Sequence, residues 1–228
     1  MRRLFLKTGL AFIAATLTGT LAGCDKPQPA PVASDDDDTP APAAKPKPAP
    51  VPPPLPDLVH VTLHTDKGDI VLELEARKAP ITVANFLHYV EAHKYDGAHF
   101  WRASKSGPSA GFIQTSPVGA TFPPIAHEST KQTGLSHTNG AISMSRYDVG
   151  TATGDFIIVV GDLSYLDAGH DPKGDNQGYA VFGHVVSGMD VVRNILHGKI
   201  DAHTPVGGWK GEQLAKPVGI TTAEQTDG

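Results

Sequence analysis

Three groups of residues in this chain have types and spacings that could do chemistry. Residues 107–111 read Gly-Pro-Ser-Ala-Gly, the G-x-S-x-G spacing of a serine-hydrolase nucleophile turn, with Ser109 at its centre. Such a turn needs a buried strand before the serine and a helix after it. Ser109 instead follows the polar run Ala103-Ser104-Lys105-Ser106 and precedes Phe112-Ile113-Gln114-Thr115, which reads as strand. The context fails on both sides, and the motif reads as a loop of small residues. Eleven histidines form the second group. On a strand, His60 and His64 would stand ~13 Å apart. His88 and His93 lack the i, i+4 spacing of two ligands on one helix face, and no HExxH, CxxC or EF-hand loop occurs. No P-loop or Rossmann glycine fingerprint occurs either, so neither metal nor cofactor is expected. Arg102, after Phe100 and Trp101, is the third. Arginine stays charged and cannot serve as a general base. On a strand among aromatics it is either an ion-pair partner or a fixed electrostatic device.

The elements that must hold these residues are mostly strands. In "VHVTLHTDKGDIVLEL", Val59, Val61 and Leu63 share one face, and Ile70, Leu72 and Leu74 share one face of the next strand. Asp66-Lys67-Gly68 supplies the turn, which predicts a hairpin. After Pro80 the period changes. Val83, Phe86, Leu87 and Val90 fall at helical spacing, with Thr82 as N-cap. "HFWRA", "GAISMSR", "DFIIVVGD" and "YAVFGHVV" read as strands, Met189, Val192 and Leu196 repeat at helical spacing, and "KPVGITTAEQ" supplies a last strand. Many strands with two well-separated helices predict a mainly β fold, an antiparallel barrel or sandwich capped by helices.

The rest of the chain is of a different kind. Residues 1–23 read as an export signal, with Arg2, Arg3 and Lys7 ahead of a mostly apolar run, Leu10 to Leu21, too short to span a bilayer. The run ends in Leu21-Ala22-Gly23-Cys24, the pattern before the lipidated cysteine of bacterial lipoproteins. No other cysteine exists to form a disulfide. Lipidation of Cys24 and anchoring to a bacterial membrane on the periplasmic side are therefore expected. The start Arg2-Arg3-Leu4-Phe5-Leu6-Lys7 also resembles a twin-arginine signal, and both export routes stay open. Without Arg2, Arg3 and Lys7, 16 Lys+Arg face 24 Asp+Glu, a charge near −8. That balance disfavours nucleic acid as a partner. Residues 24–57, with twelve prolines and the run Asp35–Asp38, read as a disordered linker. A flexible aspartate run offers Ca²⁺ no preorganised cage. Residues 58–222, ~165 in number, suit one domain with a substantial core, and residues 223–228 read as a flexible tail.

In the order and spacing of its segments, the domain resembles the cyclophilin family of peptidyl-prolyl cis-trans isomerases, in its bacterial exported branch. The resemblance rests on "TDKGDIVLELEARKAPITVANFLHYV", "YDGAHFWR", "GFIQ", "NGAISMSR", "DFIIVV", "YLDAG" and "GYAVFGHVVSGMDVVRNI". It implies a closed antiparallel β-barrel capped by two α-helices, a monomer, and isomerisation of X–Pro bonds in unfolded or partly folded exported proteins. By position, Arg102 would be the catalytic arginine and Gln114 its polar neighbour. Phe112 or Ile113, Met144, Ile157 and Leu166 would line the proline pocket. Ser145 and Arg146 would lie beside the peptide backbone, and Tyr165 and Tyr179 would complete the substrate site.

Several residues depart from the family pattern. Trp101 replaces the usual histidine before the arginine, and the stretch from Arg102 to Gln114 is longer and more polar than usual. Thr115 and Ser116 replace glycines. Asp155 stands where glutamine or serine is common, and Ile157 where a phenylalanine normally packs on the proline ring. These changes leave open a second reading, a proline-peptide binding module with weak catalysis. The Ser109 hydrolase is a distant third.

Overall fold

Alternation along the first two strands builds one wall of a barrel. Val59, Val61 and Leu63 of β1 (Val59–Thr65) pair across with Leu74, Leu72 and Ile70 of β2 (Gly68–Leu74), and all six are at most 2% exposed. Their polar neighbours face outward, because successive side chains of a strand point to opposite faces. The protein is described by a computed structural model, in which residues 56–202 and 209–226 are described. The chain divides into two units, 1–50 and 51–228, and every described residue belongs to the second. The signal peptide, Cys24, the linker through Leu55 and residues 227–228 of the expected tail lie outside the described residues.

Six further strands complete the sheet. They are β3 (His99–Lys105), β4 (Gly111–Thr115), β5 (Ala141–Met144), β6 (Phe156–Val160), β7 (Ala180–Ser187) and β8 (Gln213–Thr226). The order β1-β2-β7-β5-β6-β4-β3-β8 closes on itself, and every neighbouring pair is antiparallel. Closure leaves no sheet edge open to another chain. Inside sits an aromatic cluster centred on Phe86, whose ring lies 5.2–5.3 Å from those of Tyr95, Phe156 and Phe182.

The helices cap this barrel. In α1 (Pro80–Glu91), Val83, Phe86, Leu87 and Val90 are all buried, as their spacing predicts. The expected N-cap is corrected: α1 starts at Pro80, whose fixed φ suits a first helical turn. Thr82 lies inside the helix and donates its hydroxyl to Glu128 (2.7 Å). The backbone N–H groups of Ile81 and Thr82 also donate to the Glu128 carboxylate, so a residue from a distant loop caps the helix. The one-turn helix α2 (Thr130–Thr133) adds a third helical segment to the two expected. Four residues are too few to show a period. In α3 (Met189–Leu196), Val192 and Leu196 are buried.

The chain end also differs from expectation. β8 runs to Thr226 and pairs with β1 as far as His60, with Ala223 buried opposite Leu63. Residues 223–226 are therefore strand rather than tail. Their polar composition hides this, since Ala223 alone turns inward.

One irregularity decides which way Arg102 points. Phe100 pairs with Thr115 and Arg102 with Gln114, so Trp101 is an extra residue in β3, a β-bulge. In a regular strand Phe100 and Arg102 would share a face. The bulge breaks that parity. Phe100 is buried in the core and Arg102 faces out, with Ala103 turned in again.

Candidate active site

The outer faces of β3, β4 and β6 form the floor of a groove of about 570 Å³, with Ser145 and Arg146 beyond β5 in its lining. Register places Arg102, Gln114, Ile157 and Ser143 abreast across the four strands. A second apolar cluster lies on this face. Ile157, Val159, Ala141 and Val181 are buried there, with Phe112 and Leu166 packed on them.

Arg102 is held from several sides. Its Nε donates to Glu212 Oε2 (2.6 Å), and Nη2 stands at 2.6 Å from the same oxygen. Its Nη1 donates to Gln114 Oε1 (2.7 Å). The Trp209 ring lies 3.6 Å from the guanidinium carbon, and the Phe112 ring lies 4.9 Å away. A guanidinium has five N–H donors. Nη2 meets Glu212 as an ion pair only, so N–H groups on both Nη have no hydrogen-bond acceptor among the described residues.

Arg146, after β5, is bound differently. Nε and Nη2 both donate to the Gly178 carbonyl (3.0 and 2.5 Å). Nη1 donates to the Tyr147 carbonyl (3.0 Å), and the fork closes on Asp175 (2.6 and 2.9 Å). All five donors are engaged. The hydrogen bonds from Arg146, then from the Gln177 N–H, hold the Asp175 carboxyl down to about 2. Gly178 has φ +63° and a Cβ there would run into the backbone of Ala168, so only glycine fits.

Asp155 lines the groove between these arginines. Ser116 donates to it (3.0 Å) and in turn accepts from Trp101 Nε1 (3.2 Å). Burial pushes the Asp155 carboxyl above its ordinary range, and the Ser116 bond only partly offsets this. The preceding Gly154 has no room for a side chain. An added Cβ would sit 2.6 Å from the Tyr89 ring. The Gly154 carbonyl accepts from Tyr95 (2.8 Å), and the Thr153 carbonyl accepts from Asn85 (2.5 Å), which fixes this segment against α1.

Of the residues expected at the site, Arg102, Gln114, Phe112, Ser145, Arg146, Ile157, Leu166 and Tyr179 line the groove. Three do not. Ile113 and Met144 are at most 1% exposed and belong to the barrel core, because their parity on β4 and β5 turns them inward. The choice between Phe112 and Ile113 thus falls on Phe112. Tyr165 is 53% exposed and outside the lining; its hydroxyl meets Ser106 (2.9 Å) in the β3–β4 loop. Tyr147, Thr151 and Thr153 also line the groove, where the sequence does not place them. Trp209 and Glu212, which hold Arg102, are not announced by the sequence either. They lie more than a hundred positions after Arg102, and no motif marks them.

The Ser109 motif is an exposed loop between β3 and β4. A Ser–His–Asp arrangement does exist, at Ser143, His137 and Asp167. His137 Nδ1 lies 2.5 Å from Asp167 and Nε2 lies 2.9 Å from Ser143. The His137 N–H and the Ser136 hydroxyl also donate to Asp167. Ser143 and His137 are fully buried, so no substrate reaches the serine. Burial lowers the His137 pKa, against the opposing pull of Asp167, and the neutral ring serves as a buried tie. Among the described residues no cluster of His, Cys, Asp or Glu could hold a metal.

A closed barrel of this order with a groove on its outer face defines the class. A Cryptosporidium parvum cyclophilin type peptidyl-prolyl cis-trans isomerase has the same fold, with a TM-score of 0.59 at 18% identity over 75% of this chain and 99% of that one. That protein has also been crystallised in the presence of the dipeptide Ala-Pro. The family profile described as cyclophilin type peptidyl-prolyl cis-trans isomerase/CLD matches residues 60–225, and the chain belongs to this family. Peptidyl-prolyl cis-trans isomerase A of Dickeya dadantii (strain 3937) is 40% identical over 139 residues, 60% of this chain and 70% of that protein. Peptidyl-prolyl cis-trans isomerase B of Escherichia coli (strain K12) is 39% identical over 139 residues, 59% and 82% of the two chains. The chain is accordingly a peptidyl-prolyl cis-trans isomerase.

Proposed function

We propose that the groove binds proline-containing segments of unfolded or partly folded exported proteins and that Arg102 speeds their isomerisation. Amide resonance sets a barrier of ~18–20 kcal/mol to rotation about an X–Pro bond. As the bond twists, the proline nitrogen regains lone-pair character and becomes a better acceptor. A fixed N–H donor beside it binds the twisted state better than either planar one. The observation that carries this reading is that N–H groups on both Nη of Arg102 have no hydrogen-bond acceptor among the described residues, in a groove whose apolar floor is Phe112, Ile157 and Leu166. Gln114 fixes one Nη and is placed to meet the substrate carbonyl. No nucleophile is needed.

The cellular setting rests on the sequence. The basic start, the short apolar run and Cys24 support a lipoprotein on the periplasmic side of a bacterial membrane, with residues 24–57 as its spacer. The enzyme acts as a monomer. A second reading, a binding module of low activity, is favoured by Asp155 and Ile157, which give the proline ring less aromatic surface. A protease-coupled assay with a proline tetrapeptide decides between them. Isomerisation at the buffer rate, with Arg102→Ala no slower than wild type, would remove the catalytic reading. Loss of fatty-acid labelling on Cys24→Ser tests the anchor.

A further inference from the structure

We infer that Glu212 is the positioning residue of Arg102, and that with Trp209 it holds the guanidinium edge-on to the groove. This rests on the reading of Arg102 as the catalytic donor. Between Phe100 and Arg102, β3 advances two residues, while its partner β8 moves from Val218 to Gln213. The slack in β8 brings a turn from Trp209 to Glu212 against the outer face, closed by the Glu212 N–H on the Trp209 carbonyl (3.1 Å). The Ala103 N–H donates to the Glu212 carbonyl (2.8 Å), so the backbone of Glu212 is pinned to β3 beside Arg102.

Its side chain is equally committed. Oε2 accepts from Arg102 Nε (2.6 Å) and lies 2.6 Å from Nη2 as its ion-pair partner, and Oε1 accepts from the Ser104 hydroxyl (2.8 Å). The carboxylate is thus fixed by a second group on the same strand and cannot follow Arg102 if the arginine swings. Trp209 lies at 3.6 Å and Phe112 at 4.9 Å from the guanidinium carbon, so aromatic rings pack against the cation while the carboxylate takes one edge. Rotation about the long arginine side chain is blocked, and the remaining N–H groups keep one orientation. An arginine free to rotate would have to be ordered by each substrate in turn. Held in place, it meets the proline nitrogen already aligned.

The test uses the full mature chain, a proline tetrapeptide and the protease-coupled assay. Glu212→Ala is expected to lower kcat about tenfold, as misplacement of a catalytic group does, with KM within about twofold. In an Arg102→Ala background the same change should cost nothing further. Glu212→Gln, which keeps an acceptor for Nε, should recover part of the rate. Both tryptophans of the chain, Trp101 and Trp209, line the groove, so emission reports on the clamp and should shift in Glu212→Ala. An unchanged or raised kcat in Glu212→Ala, while Arg102→Ala is slow, overturns this inference alone. An equal loss in both backgrounds also overturns it, since that marks a role in folding. If Arg102→Ala is as fast as wild type, the catalytic reading of Arg102 falls as well.

Discussion

Two arginines flank the β4–β6 floor of the groove, and their donors end in different places. Arg146 gives all five N–H groups to protein acceptors, chiefly Gly178 and Asp175. Arg102 gives Nε to Glu212 and one Nη1 N–H to Gln114, and N–H groups on both Nη stay without a hydrogen-bond acceptor among the described residues. A saturated guanidinium cannot bond a substrate without first breaking an internal bond. Arg146 is therefore a brace for the segment 175–178, and it shapes the groove through the Tyr179 ring under its guanidinium (5.2 Å). Under the proposed function, Arg102 is a donor held ready. Location in a groove does not separate the two roles, whereas a count of donors does.

The contrast breaks or holds most visibly on truncating each arginine. Arg102→Ala should lower kcat/KM at least about a hundredfold, the scale of losing one preorganised donor, while the lost Glu212 ion pair and Gln114 bond cost about 1 kcal/mol, a melting-temperature drop of about 2–4 °C. Arg146→Ala should do the reverse. Losing about 2 kcal/mol of charge-assisted hydrogen bonds lowers the melting temperature by about 4–8 °C and leaves a larger share of the activity. If both variants are folded and equally slow, the distinction fails. Gln114→Ala frees Nη1 without removing the cation, and a loss of about tenfold in kcat would sharpen the view that order around Arg102 matters.

Acid separates the two sides by stability. His137 lies edge-on to Tyr179, at 6.5 Å between centroids, on the Arg146 side. Its pKa in the fold lies below the ordinary 6.5, so the unfolded chain binds the extra proton. Stability should fall as pH drops from 6.5 through the folded value, and His137→Asn should flatten that slope in urea titrations at stepped pH. Asp155 supplies the smallest effect and has the opposite sign. Its folded pKa is raised above 3.8, so the native state loses stability as pH rises through that value. Asp155→Asn should be slightly more stable than wild type at pH 7, by about 1 kcal/mol or less for a group only partly buried. The gain should vanish below pH 3.8.

Much of this molecule is legible in its sequence, and the misreadings share a cause. The period-2 run of β1 and β2 and the stripe of α1 are local patterns, set by which side chains must meet the core. Arg102 and Gln114 are legible through their flanking residues. Parity across the sheet is not local. Ile113 and Phe112 are neighbours of similar character, and only the pairing of β4 with β6 tells which turns inward. Met144 misleads for the same reason. Glu212 and Trp209 carry no signal in their own surroundings, because their meaning comes from a slip in β8 that depends on tertiary pairing. Tyr165 is placed at the site by position alone, and the longer β3–β4 loop gives it Ser106 as a partner instead.

The bulge at Trp101 gives this strand one residue more than its pairing with β4 uses. Replacing any one of residues 100–102 alters a side chain and leaves the face it occupies alone. Deleting Trp101 would set Phe100 beside Arg102, and plain alternation would still send the phenyl ring inward and the cation into the groove, so what the extra residue adds is the indole that lines the groove. The residue that the ladder leaves uncounted is thus the one this strand could lose with both faces intact, at the expense of the groove wall alone.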